Sequence, residues 1–139
     1  SGLSLVSVVI DIERIGDYTK NIYDLAVHHP LRLEGGPVEE KLRNVEALVT
    51  SDFKSMIEVF KDRDEEKARL IMNNYKEGLS DACEEISNSI LSGAVTGLNS
   101  SDATAVSLYA RFLKRIASHS RNIVTSVVNP FHRIGYREK

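Results

Sequence analysis

Cysteine is nearly absent: Cys83 stands alone among 139 residues. No intrachain disulfide can form, which suits a reducing compartment. A single cysteine inside a helical apolar pattern reads as a small core residue rather than a redox centre. Net charge is only -2, so no general basic field exists to hold nucleic acid, and no direct nucleic-acid partner is expected. No stretch approaches the roughly 18 uninterrupted apolar residues of a membrane span. The opening LSLVSVVIDI has no basic residue before it and runs into Asp11 and Glu13, so it is not read as a signal h-region. A Gly-rich phosphate loop, a zinc-spaced Cys/His cluster and a Ser-His-Asp ordering are all missing, and nothing reads as a nucleophile. Period-two alternation is not sustained anywhere, so no sheet is predicted.

What is present is helical periodicity. The length is that of one domain, and 42% hydrophobic residues suffice for a sizeable core. In the first segment Leu5, Val8, Ile12, Ile15, Thr19, Ile22 and Ala26 recur at alternating three and four spacing, a stripe that should face other helices. Pro30 stops this helix, and LRLEGGP is a loop. A second helix runs from about Pro37 to Lys61 on the stripe Leu42, Val45, Val49, Phe53, Met56 and Phe60. Asp62 or Asp64 should cap the third, which carries Ala68, Ile71, Tyr75, Leu79, Ala82, Ile86 and Ile90 and closes at Gly93. Ser101 or Asp102 should cap the fourth, which carries Val106, Tyr109, Leu113, Ile116, Ser120, Ile123 and Val127 and ends at Asn129-Pro130. In the tail, Phe131, Ile134 and Tyr136 could dock on the bundle. The predicted fold is all-α, an elongated antiparallel up-and-down bundle of four long helices.

The chain also repeats itself. A shift of 101 residues carries the first stripe onto the fourth: Leu5 to Val106, Ile12 to Leu113, Ile15 to Ile116, Ile22 to Ile123. Arg14 meets Arg115, Lys20 meets Arg121 and Asn21 meets Asn122. So long a period is not a solenoid unit; it points to duplication of a small bundle. The phrase ERIGDYTKNI, residues 13 to 22, resembles the signature of the PhoU-like domain family, in which such a phrase ends each of two three-helix repeats. ALVTSDFKSMIEVFKDRDEEKARLIM and LYARFLKRIASHSRNIVTSVV resemble other parts of the family's repeat. The resemblance implies a single PhoU-like domain over 1–139: a signature helix of a first repeat over 1–30 and one complete three-helix repeat over 37–130.

Glu13 and Asp17 lie four apart and share a helix face. They repel unless a cation lies between them, and oxygen ligands suit hard or borderline cations. Residue types alone make them a solvated pair near Lys20 or Arg14. The resemblance implies a metal role, with iron or zinc as the ions, and Asp81 and His119 as the weaker further ligands. In the second signature Lys114 and Ser118 replace the two carboxylates. The two signature helices should lie side by side, with Lys114 neutralising Glu13 or Asp17 in place of metal. Gly16, in mid-helix, costs about 1 kcal/mol against alanine, and close helix packing is the expected reason. His28 and His29, adjacent at a helix end, make a poor chelate.

The function that the resemblance implies is a non-enzymatic regulator or adaptor in phosphate uptake or phosphate-responsive signalling. Its partner would be a phosphate transporter or a sensor kinase at the inner membrane face, placing the protein in the cytoplasm or peripheral to that face. The alternatives are the cytoplasmic tail of a sodium–phosphate cotransporter and a metal-dependent carboxylate-bundle enzyme. The first helix is apolar nearly all round, including Leu3, Val6, Val9 and Ile10, so one face should stay uncovered and form a homodimer.

Overall fold

The local signals place the helix ends. The structure, a computed structural model, describes residues 2–128, with side chains from Leu5 onward. Helix α1 spans Gly2–His28 and stops two residues short of Pro30. Pro37 sits in a short 3-10 turn, Gly36–Val38, that leads into α2, Glu39–Asp62, whose first turn holds Glu39 and Glu40. Arg63 closes α2 in the left-handed conformation, φ 53°. Asp64 caps α3, Glu65–Asn74, by accepting from the Lys67 N–H at 3.1 Å. Helix α4, Ser80–Leu91, ends one residue before the turn at Gly93, φ 81°. The start of α5, Ser100–Val128, is capped by the side chain of Asn99, which accepts from the Asp102 N–H at 2.7 Å. The expected caps, Ser101 and Asp102, thus lie inside the helix. Phe131, Ile134, Tyr136 and the side chain of Leu3 fall outside the described residues.

The expected third helix is one rod in two pieces. A π turn, Tyr75–Leu79, joins α3 to α4, and Gly78 within it has φ 119° and ψ 14°. An L residue rarely adopts that conformation, so glycine defines where the rod breaks. The four rods hold no strand among the described residues.

Helix α5 is the hub. It packs against α1, α2, α3 and α4, and its stretch from Ser120 to Ser126 is buried on every side. Among the described elements α1 docks chiefly on α5, antiparallel to it: Asp11 meets His119, Tyr18 meets Phe112, and His29 meets Asp102. The core between α2, α3, α4 and α5 contains Leu42, Val59, Ile71, Ile86, Val106 and Ile123, each fully buried. In α2, Asp52 and Val59 are buried where Phe53 and Phe60 were expected; Phe53 is half-buried and Phe60 exposed.

The first stripe is rotated from its expected place. The face of α1 that docks is Val8, Asp11, Ile15, Tyr18, Ile22 and Leu25. Of the expected stripe, Val8, Ile15 and Ile22 turn inward, whereas Leu5, Ile12, Thr19 and Ala26 are exposed. The helix is apolar around most of its circumference, so periodicity alone could not choose the seam. Asp11 lies on the docked side, where α5 offers it polar partners.

Candidate functional site

Asp11 interrupts the run VVIDI and is fully buried, 0% exposed. Its carboxylate accepts from His119 Nδ1 at 2.8 Å and from Asn122 Nδ2 at 3.5 Å. A charge taken out of water must be met by hydrogen bonds, and α5 supplies them. The His119 ring also stacks on Tyr18, centroids 6.0 Å apart, and Tyr18 in turn leans on Phe112 at 6.2 Å. The shift of 101 residues sends Asp11 to Phe112 and Tyr18 to His119. The Asp11–His119 and Phe112–Tyr18 contacts are therefore counterparts, one polar and one aromatic, about the antiparallel α1–α5 axis.

On the other side of His119 opens a cleft of about 1230 Å³ between α5 and the broken rod of α3 and α4. The π turn carries Tyr75 to its edge, and the buried guanidinium of Arg121 lies over that ring at 4.4 Å. Arg69, Lys76 and Arg115 line the cleft with Arg121, whereas Asp81 and Glu84 are its carboxylates. Lys114 donates to Glu84, and this contact holds the Glu84 carboxyl below the usual carboxylate range. The balance of the lining is cationic, in a protein whose net charge is -2.

The expected site residues do not all meet. His119 and Asp81 line the cleft together. Glu13 and Asp17 are exposed on α1, off its docked face. Lys114 does not neutralise them as expected; its ion-pair partner is Glu84 on α4. The two signature helices do lie side by side, but α1 docks through Asp11 and its neighbours, which turns Glu13 and Asp17 away from α5. Among the described residues no group of three or more His, Cys, Asp or Glu could hold a metal ion. Glu13 and Asp17 would supply ligands from one helix alone, short of a closed ion site. Asp11 was the residue missed. A carboxylate inside an otherwise apolar helical run was its signal in the sequence.

Elsewhere, Asn74 donates to the buried carboxylate of Asp52 at 3.0 Å, and burial pushes that carboxyl up. Burial pushes the Cys83 thiol up to about 12, so it stays protonated and inert, as a small core residue should. At the far end of α1, His29 Nε2 bonds Asp102 Oδ1 at 2.8 Å, and this bond raises the His29 pKa above its ordinary 6.5.

Compared with known families, the chain matches the one described as PhoU domain over residues 42–127. The matched stretch runs from α2 to the end of α5, so the ERIGDYTKNI phrase on α1 lies outside it. No curated protein and no solved structure matches the chain.

Proposed function

The chain belongs to the PhoU domain family, and on that premise we propose that it is a cytoplasmic regulatory adaptor in phosphate uptake or phosphate-responsive signalling. It works by docking rather than by catalysis, on a phosphate transporter or sensor kinase at the inner membrane face, and as a homodimer. The family match over α2–α5 carries this proposal. No helix among the described residues is long and apolar enough to cross a membrane, so a membrane partner would be reached from the surface. The cationic cleft supports a docking role, since Arg69, Lys76 and Arg115 suit an acidic segment of a partner.

The test is removal of the chain from its parent cell, followed by phosphate uptake at low and high external phosphate. Uptake that no longer falls at high phosphate is expected. Unchanged regulation would reject the adaptor role. Lys76→Glu with Arg115→Glu should mimic the loss if the cleft is the docking surface. Hydrophobic spans upstream in the parent sequence would make the same domain the tail of a cotransporter.

A further inference from the structure

The cleft beside His119 is built by one repeat. The described side chains that line it come from α3, the π turn, α4 and α5, within the matched stretch 42–127, and none comes from α1. Its shape therefore does not depend on what covers α1.

Helix α5 meets the broken rod antiparallel: Ser87 donates to the Ser107 carbonyl, Lys114 meets Glu84, and Arg121 meets Tyr75. This register orders the charges of the cleft along its length. Arg115 stands level with Asp81. Arg121 and Lys76 come next, about 9 Å along at about 1.5 Å per helical residue. Arg69 follows after about 10 Å more. The cations form a row of three stations rather than a single spot.

The carboxylates leave that row positive. Glu84 is held by Lys114, and Asp81 is the other carboxylate of the described lining. Arg69 makes an exposed pair with Glu65 at 3.6 Å, which counts for little in water. Lys76 and Arg115 make no ion pair among the described residues. Asn73, Ser80 and Ser118 add neutral donors between the stations.

The repeat supplies an independent observation. The shift of 101 residues sends Glu13, Asp17 and Asp24 to Lys114, Ser118 and Thr125, all three in the cleft lining. From Ala103 to Val128 helix α5 has no carboxylate, yet it carries Arg111, Lys114, Arg115 and Arg121. The side of α5 that borders the cleft is thus cleared of negative charge where its counterpart on α1 is acidic.

We propose that the cleft binds a linear oligophosphate, a chain of phosphate groups lying along α5 from Arg115 past Lys76 and Arg121 toward Arg69. A guanidinium matches phosphate oxygens two at a time, and a lysine meets them as a point charge. Stations about 9–10 Å apart suit a ligand whose charge is spread along a chain, whereas a lone orthophosphate reaches one station. The cleft, about 1230 Å³, has room for such a chain. Stacking on Tyr75 fixes the Arg121 guanidinium before the ligand arrives. The proposal stands on the cleft's own chemistry. Joined to the adaptor reading above, it makes the oligophosphate and a partner's acidic segment competitors for one surface.

Titration calorimetry of the whole chain at low ionic strength tests this, with orthophosphate, tripolyphosphate and ATP as probes and phosphatidylglycerol vesicles in a co-sedimentation arm. Tripolyphosphate should bind about tenfold or more tighter than orthophosphate. Lys76→Glu and Arg115→Glu should each weaken it by about tenfold, and Asp81→Asn should tighten it by a few-fold. Lys54→Glu makes the same change of net charge on α2, outside the cleft lining, and should leave affinity within about twofold. Circular dichroism of each variant keeps loss of fold apart from loss of charge. ATP equal to tripolyphosphate assigns the site to phosphates alone; ATP binding tighter makes a nucleotide the carrier of the chain. No tripolyphosphate binding at about 1 mM, a loss with Lys54→Glu as large as with Lys76→Glu, or binding confined to vesicles overturns the proposal. Each of these leaves the adaptor role standing, since that rests on phosphate uptake after removal of the chain, and unchanged uptake regulation there leaves the oligophosphate site standing.

Discussion

Two helical glycines should respond to alanine with opposite sign. Gly16 lies in the regular helix α1, and a Cβ there meets nothing within 4 Å among the described residues. Gly16→Ala adds no clash and removes backbone freedom from the unfolded chain, so it should stabilise by about 0.5–1 kcal/mol. A Cβ at Gly78 also meets nothing within 4 Å among the described residues, yet its φ is 119°. Sterics with neighbours are equal at the two sites; only the backbone differs. Holding an L residue in a sparsely populated conformation costs about 1–3 kcal/mol. Gly78→Ala should therefore destabilise by that amount, either through strain or through straightening of the rod and displacement of Tyr75 from Arg121. Urea unfolding of both variants, with the wild type beside them, gives the difference directly. The gap should be about 1.5–4 kcal/mol, or roughly 4 °C in Tm for each kcal/mol at this chain size. A stabilising Gly78→Ala would refute the role given to the π turn.

Asp11→Ala removes an acceptor from His119 and Asn122 in a buried setting; because the His119 side chain keeps 14% exposure, the cost should be about 2–3 kcal/mol, below that of a fully buried pair. The loss should be local, with hydrogen exchange quickening through α1 while α2 to α5 keep their protection. The His29–Asp102 bond should give a pH-dependent tether. The folded His29 pKa is raised, so its contribution is complete below the ordinary value of about 6.5 and is lost as pH rises through the folded value. Asp102→Asn should erase that dependence, and an NMR titration of His29 unchanged by the substitution would contradict it. Elemental analysis of protein purified without chelator or affinity-tag metal should find iron and zinc well below one ion per chain. A near-stoichiometric ion would show that Glu13 and Asp17 recruit ligands beyond the described residues.

Helix number and most of the ends were legible because they depend on local chemistry. Pro30, Pro37, Asp64 and Gly93 act through their own backbones or nearest neighbours, and each sits where its chemistry suggested. The seam of α1 was not legible, because Leu5, Val8, Val9, Ile12 and Ile15 offer two apolar faces and periodicity cannot rank them. The break at Gly78 was hidden for a related reason. Tyr75, Leu79, Ala82 and Ile86 keep helical spacing across it, so the apolar pattern runs through while the backbone does not. Lys114 was misplaced because the repeat set it opposite Glu13 by analogy. In the fold it belongs to the face of α5 that meets α4, where Glu84 lies within reach.

The repeat explains why two similar helices end in unequal surroundings. Asp11–His119 and Phe112–Tyr18 occupy equivalent places about the α1–α5 axis. A duplicated contact need not keep its chemistry. Where both members are aromatic it needs only packing, whereas a buried carboxylate needs donors held at the right place. We infer that this requirement fixes α1 in one rotation on α5. The rotation in turn decides the rest: it turns Glu13 and Asp17 away from α5 and leaves Leu5, Val9, Ile12 and Tyr23 uncovered. If Asp11 sets the rotation, then Asp11→Leu with His119→Leu, an apolar pair in the same place, should keep α1 docked but let it turn. Cross-linking between cysteines placed at Val8 and at residues facing it on α5 would report the change, with native Cys83 buried and protonated. A single cross-link pattern in both proteins would show that apolar packing alone fixes the seam, and that Asp11 follows the docking of α1 rather than directing it.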